Sequence, residues 1–210
     1  MKLNNLLLDT PKKVLPVKFG MWLFLIMDGL TFYILLSGCL YLRIRTNNWP
    51  HAGEILNIPL TSLNTFILII SSFTMVTALN FAKFLDLKNL KLFLTITIFL
   101  GLSFITIQLY EYYHLINGSL QLEESLIQSG IIGHTSLSWA SGIYGSTFYI
   151  ITGFHGLHVL SGIIYLLIIL FKIKKGIRFT TYYDQIEIAA LFWHFVDLVW
   201  IMVFTIIYLI

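Results

Sequence analysis

Seven polar side chains stand inside stretches that are otherwise apolar, and any chemistry in this sequence has to start from them: Asp28, Gln108, Glu111, His155, His158, His194 and Asp197. Imidazoles and carboxyls in a non-polar setting can ligate a metal or a haem, pass protons along, or simply hydrogen-bond one helix to another. Spacing narrows the choice. His155 and His158 are three residues apart, as are His194 and Asp197, and Gln108 and Glu111, so each pair shares one helix face. A haem-carrying bundle usually offers histidines on facing helices at matched depth, and the remaining histidines, His51, His114 and His134, fall in or beside loops. A histidine hydrogen-bonded to a carboxyl on a neighbouring helix is therefore the stronger reading, and neither a metal ligand nor a catalytic residue is assigned. No nucleophile with an adjacent base and no phosphate-binding glycine loop occurs. The single cysteine, Cys39, lies in an apolar run, which excludes an intrachain disulfide and a cysteine-based metal site.

The elements that carry these residues follow from composition. Hydrophobic residues make up 58% of the 210 and charged ones only 11%, against roughly a quarter in soluble domains. Runs long enough to cross about 30 Å of hydrocarbon at about 1.5 Å per residue fall near 19–42, 63–82, 92–113, 143–171 and 188–210. The expected fold is an all-α integral membrane bundle of five transmembrane helices, one domain over 19–210 behind an interfacial tail, 1–18. Eleven of the 13 lysines and arginines lie in that tail, around 83–91 and around 172–178, while only Arg43 and Arg45 lie on the other side. The positive-inside rule then puts the N-terminus inside and the C-terminus outside. The net charge of +3 belongs to these loops, and nucleic acid is not an expected partner.

This layout sets depths. Asp28 is ten residues past Lys18 and Asp197 ten past Glu187, each about 15 Å into its span, where a carboxyl must meet a cation or donors or carry its own proton. Gln108 and Glu111 lie near the outer end of the third span, where water or headgroups are expected to reach them. Ser71, Thr74 and Ala78 in the second span, and Gly145, Gly153, Gly156 and Gly162 in the fourth, mark close helix packing. Trp49 is an expected interface anchor in a Pro-containing first loop. The longest connection, 114–142, carries Glu123 and Glu124 without a lysine or arginine, and its LQLEESLIQSGI stretch is either a short amphipathic helix or an ordinary surface loop. Residue chemistry alone leaves three functions open: a membrane ion transporter relaying through Asp28, Asp197 and the histidines, a small haem-b membrane protein, or a subunit of a larger membrane complex.

Four stretches decide among these by resemblance. FGMWLFLIMDGLTF (19–32), GLSFITIQLYEYYHLI (101–116), SGIYGSTFYIITGFHGLHVLSG (141–162) and FWHFVDLVWIMVFTIIYL (192–209) resemble, in order, the signature segments of subunit III of the haem-copper terminal oxidases. The resemblance covers all five spans. It implies a subunit without haem or copper of its own, packed directly against the catalytic subunit I beside subunit II, in a complex whose partner subunits hold haems and copper, reduce oxygen and pump protons. It also implies bound phospholipid and support of proton uptake. Carried over by position, the family's acid of the first shared helix is Asp28, its QxxEY pair is Gln108 and Glu111, its HGLH histidines are His155 and His158, and its WHFxD motif supplies His194 and Asp197. Asp28 is given proton-uptake support and the other six structural or lipid contacts. Two helices of the mitochondrial type have no counterpart here, which resembles the five-helix bacterial form and points to a bacterial inner membrane, with the mitochondrial inner membrane as the alternative. Aspartate at 28 resembles the quinol-oxidising branch rather than the cytochrome c branch, so the donor stays open between the two.

Overall fold

A computed structural model describes residues 14–46, 49–50, 52–118, 123, 126–127, 136–138, 141–176 and 179–210. Six α-helices follow in order: α1 (Val14–Arg45), the single-turn α2 (Ala52–Ile55), α3 (Ile58–Lys83), α4 (Leu87–Asn117), α5 (Gly142–Lys174) and α6 (Phe179–Phe204), the last closing in a π-helical turn, Thr205–Leu209. Five helices are long and apolar enough to cross a membrane, and no strand occurs among the described residues. The helices overrun the apolar runs of the sequence at most ends, because a chain leaving hydrocarbon keeps its backbone groups paired most cheaply by continuing the helix. The His134 region and most of the LQLEESLIQSGI stretch lie outside the described residues.

Local signals set the boundaries. Asn57 caps α3 by accepting from the Leu60 amide at 3.2 Å, with a proline in the first turn, and Asp86 caps α4 by accepting from the Asn89 amide at 3.2 Å. Between α3 and α4 the chain turns through Leu85 with φ at +60°, so these two helices form an antiparallel hairpin.

Helices α3, α4, α5 and α6 form a four-helix interior, while α1 packs only on its α5 and α6 side. Trp193 is the interior's centre. Its indole donates to the Ser71 hydroxyl of α3 at 3.1 Å and fills the space left by two missing side chains, for a Cβ on Gly101 of α4 would lie 2.7 Å from the ring and one on Gly162 of α5 3.0 Å. Two turns along α6, Trp200 donates to Thr65 of α3 at 3.0 Å and meets Phe104 of α4 edge-on at 4.8 Å. Hydroxyl pairs complete the fastening, Thr74 with Thr97 at 2.8 Å and Tyr112 with Thr152 at 2.6 Å. The small residues expected to mark close packing do so unevenly. Ser71, Thr74 and Ala78 are buried, Gly162 meets Trp193, and Gly145 admits the Ser138 carbonyl of the long connection. Gly156 faces open space instead, because its side of α5 carries no neighbouring helix.

At the end away from the lysines the long connection returns onto the bundle. The Leu137 amide donates to the Leu115 carbonyl at 3.0 Å, the Tyr149 hydroxyl donates to the Leu137 carbonyl at 2.8 Å, and Leu126 and Leu137 are fully buried. Trp49 packs edge-on against Tyr144 at 5.4 Å, and the Pro-containing first loop holds the single turn α2. Cys39 is buried as a packing residue.

Candidate functional site

The seven polar residues do not converge on one centre; six of them divide into three settings, and His155 stands apart. The first joins α1 to α5. His158 Nε2 lies 3.1 Å from Asp28 Oδ1, and His158 Nδ1 lies 2.8 Å from the Phe154 carbonyl one turn back. A carbonyl can only accept, so Nδ1 carries hydrogen and the bond to Asp28 holds one further proton, either on the ring or on the carboxyl. In both forms the pair is neutral as a whole, which is what a site about 15 Å into hydrocarbon requires. Phe32 of α1 covers the pair, 5.4 Å from the His158 ring. This is the histidine–carboxyl link between helices that spacing favoured over ligation.

His155, one turn from His158, enters the bundle instead. It is completely buried, tilted against Trp200 at 4.8 Å and edge-on to Phe104 at 5.8 Å, with neither ring nitrogen bonded among the described residues. The ring is thus held by packing against aromatic neighbours in an apolar box.

The second setting is a closed carboxyl hub. Glu111 accepts from the Thr61 hydroxyl of α3 at 3.2 Å, from the Tyr208 hydroxyl of the π turn at 3.0 Å and from the Gln108 amide at 3.3 Å. The expectation that water or headgroups reach Gln108 and Glu111 is corrected here, since both are buried, at 5% and 6% exposure. The reason is the π turn at the end of α6, whose wider winding sets Tyr208 over Glu111 and shuts that end of the bundle. Asn64, one turn from Thr61, donates to the Phe104 carbonyl at 3.3 Å and extends the polar stripe of α3.

The third setting lies between α3 and α6. His194 Nδ1 and the Ser72 hydroxyl are 2.5 Å apart, and Asp197, one turn along α6, is buried with no hydrogen bond made to either oxygen. His194 and Asp197 share a helix and a neighbour, Ser72, without bonding each other.

Sequence reasoning missed Thr61, Ser72 and Tyr208. Thr61, Asn64, Ser71 and Thr74 fall at helical spacing on one buried face, interrupted by Leu68, and extend the noted Ser71 and Thr74 toward the helix start. Tyr208 could not be found this way, because the π turn breaks the 3.6-residue register that would have placed it. Among the described residues no three histidine, cysteine, aspartate or glutamate side chains are grouped to hold a metal ion.

A family model described as cytochrome c oxidase subunit III matches residues 9–210. The chain belongs to the cytochrome c oxidase subunit III family. It is 30% identical over 191 residues to cytochrome c oxidase subunit 3 of Bacillus sp. strain PS3, covering 90% of this chain and 84% of the relative. To cytochrome c oxidase subunit 3 of a Synechocystis species it is 33% identical over 193 residues, covering 91% and 74%. A probable cytochrome c oxidase subunit 3 of Rickettsia felis is 40% identical over 153 residues, which cover 70% of this chain and 46% of that longer protein. The subunit III family places the chain in a haem-copper oxidase complex as a multi-pass membrane protein, and the four motif-bearing stretches all lie within the matched range.

Proposed function

We propose that this chain is the non-catalytic subunit III of a proton-pumping haem-copper oxygen reductase, packed directly against subunit I beside subunit II in a bacterial inner membrane. In this reading residues 19–210 act as one membrane domain behind the 1–18 tail, with the N-terminus inside. The chain stabilises the catalytic subunit, binds phospholipid, and supports proton uptake during aerobic respiration, with cytochrome c or quinol as donor. The observation that carries the reading is the Asp28–His158 link at 3.1 Å, which joins the acid implied to support proton uptake, on the peripheral helix α1, to the bundle. Gln108, Glu111, His155, His158, His194 and Asp197 then serve bundle structure and contact with lipid or partner.

A pull-down of the chain from native membranes in mild detergent, with mass spectrometry of what accompanies it and a reduced-minus-oxidised visible spectrum, tests this. The expected result is co-purification of large haem-bearing subunits, with no haem left on this chain once they are stripped away. A chain that emerges alone, colourless and able to move ions after reconstitution would favour the transporter. A haem band retained by the isolated chain would favour a haem-b protein.

A further inference from the structure

His194 is a half-buried histidine inside a membrane span with Nδ1 bonded to Ser72 and no bond made at Nε2 among the described residues. By helix rise it lies about 16 Å along α6 from Tyr183, and Ser72 about 16 Å along α3 from Lys83, so both stand near the middle of their spans. Both are half-buried rather than enclosed. Their bond can be drawn two ways. If the Ser72 hydroxyl donates to Nδ1, then Nε2 carries a hydrogen with nothing to receive it. If Nδ1 donates to Ser72, then Nε2 is a bare acceptor and the Ser72 hydrogen is free to turn to the neighbouring Asp197, whose oxygens otherwise lack a donor. Either way Nε2 is left unmet at a depth where acyl chains offer no hydrogen bond and headgroups are about 15 Å away.

Several hydroxyls on the outer faces of the spans behave differently. The hydroxyls of Ser37, Thr77, Ser103 and Thr106 each donate to a carbonyl one turn back on their own helix, which satisfies them against lipid. A histidine ring cannot do this with both nitrogens. Around His194, Ile69 and Val76 of α3 and Leu198 and Ile201 of α6 are exposed at the spacings that share a face with Ser72 and His194. A polar centre inside an apolar rim is the pattern of a helix–helix contact in a membrane, where apolar surface packs and one buried hydrogen bond sets register.

We propose that the α3–α6 face centred on His194 is an interaction surface on which a transmembrane helix of a partner oxidase subunit packs, placing a hydrogen-bonding side chain against His194 Nε2. This rests on the reading of the chain as an oxidase subunit. The occupant is a protein helix rather than lipid because the unmet atom is a hydrogen-bonding one at mid-membrane depth.

The test uses the full chain in native membranes with a benzophenone side chain in place of Leu198, and, for comparison, in place of Phe99 on the outward face of α4. Illumination and mass spectrometry are expected to find an oxidase subunit on the Leu198 probe several-fold more often than on the Phe99 probe. His194→Leu should cut co-purification of that subunit about tenfold, while His194→Gln, which restores a polar group at similar reach, should recover most of it. The Leu198 probe alone decides the case if His194→Leu misfolds. Lipid adducts only, a second copy of this chain, or an oxidase subunit captured from Phe99 but not from Leu198 would each overturn the docking face while leaving the subunit reading intact. No oxidase subunit on either probe, together with no haem protein in the pull-down, would overturn both.

Discussion

The four-helix interior and the peripheral helix α1 are built on different principles. Inside, α3 to α6 meet through shape: Trp193 lies where Gly101 and Gly162 withhold their side chains, and Trp200 and Phe104 close the next layer. Hydrogen bonds there are accessory to packing. Helix α1 has few close neighbours and leaves most of one face exposed, from Phe19 through Trp22, Ile26, Leu30 and Ile34. Its fastening adds polar links to a single apolar edge with Phe32 against Phe154 at 5.0 Å: Asp28–His158 at mid-depth and Lys18–Glu187 at 2.6 Å near the basic end. In hydrocarbon there is no hydrophobic drive to press one helix on another, so a helix that packs along one edge only gains from polar links. The acid of α1 is thus a fastening device within this chain, joining α1 to α5.

Breaking the interior should do the most. Trp193→Ala removes a side chain that touches three helices and is expected to cost about 3–5 kcal/mol, while Gly101→Leu forces a branched chain into the indole and should prevent assembly of the bundle. Loss of a cooperative thermal transition in detergent is the readout, and a transition within a few degrees of the parent would show that the interior is not governed by shape. Second in size is the α1 link. His158→Leu leaves Asp28 buried without its partner and should cost about 3 kcal/mol, seen as faster amide exchange confined to α1. Adding Asp28→Leu should recover much of that loss, and a double variant no better than the single one would show that the pair does not hold the helix.

Third, Tyr208→Phe removes one of three donors to Glu111 and should cost about 1 kcal/mol, with the π turn and the Thr61 contact loosening together. An unchanged transition would mean that Tyr208 closes the end of the bundle by packing alone. Smaller still is Lys18→Ala, whose half-exposed pair with Glu187 is worth no more than about 1 kcal/mol and should fade as salt rises. The smallest effect belongs to Asp86. The Asn89 backbone amide it accepts from holds its carboxyl below the usual aspartate range. A depressed carboxyl stabilises the fold at pH values above its unfolded range, about 3.9, and loses that contribution as pH falls through its lower folded value. Exchange of the Asn89 amide should therefore quicken only in strong acid, and quickening already near pH 6 would contradict the cap.

How much of this could be read in advance differs by region. Five spans and their order follow from hydropathy, because crossing a membrane demands long apolar runs that no soluble core needs. The Asp28–His158 link was legible as a type of bond, since an acid at such depth must find a partner, but the choice of His158 over His155 depends on which way two residues on one helix turn, and α1 decides that by packing on the His158 side. The closure over Glu111 was not legible. It depends on a π turn that shifts Tyr208 out of helical register and on a connection, 114–142, that folds back to bury Leu137, neither of which leaves a periodic signal. Trp193 was visible only as one aromatic among many; its place between Gly101 and Gly162 joins residues some 30 to 90 positions apart.

The most direct test of the account is the working life of the oxidase complex carrying Asp28→Ala, followed through many turnovers beside the parent and Asp28→Glu. The account predicts intact haem content and an active life shortened several-fold for Asp28→Ala, with Asp28→Glu close to the parent. An unchanged active life in Asp28→Ala, with amide exchange showing α1 released, would contradict the claim that the buried acid of α1 supports proton uptake.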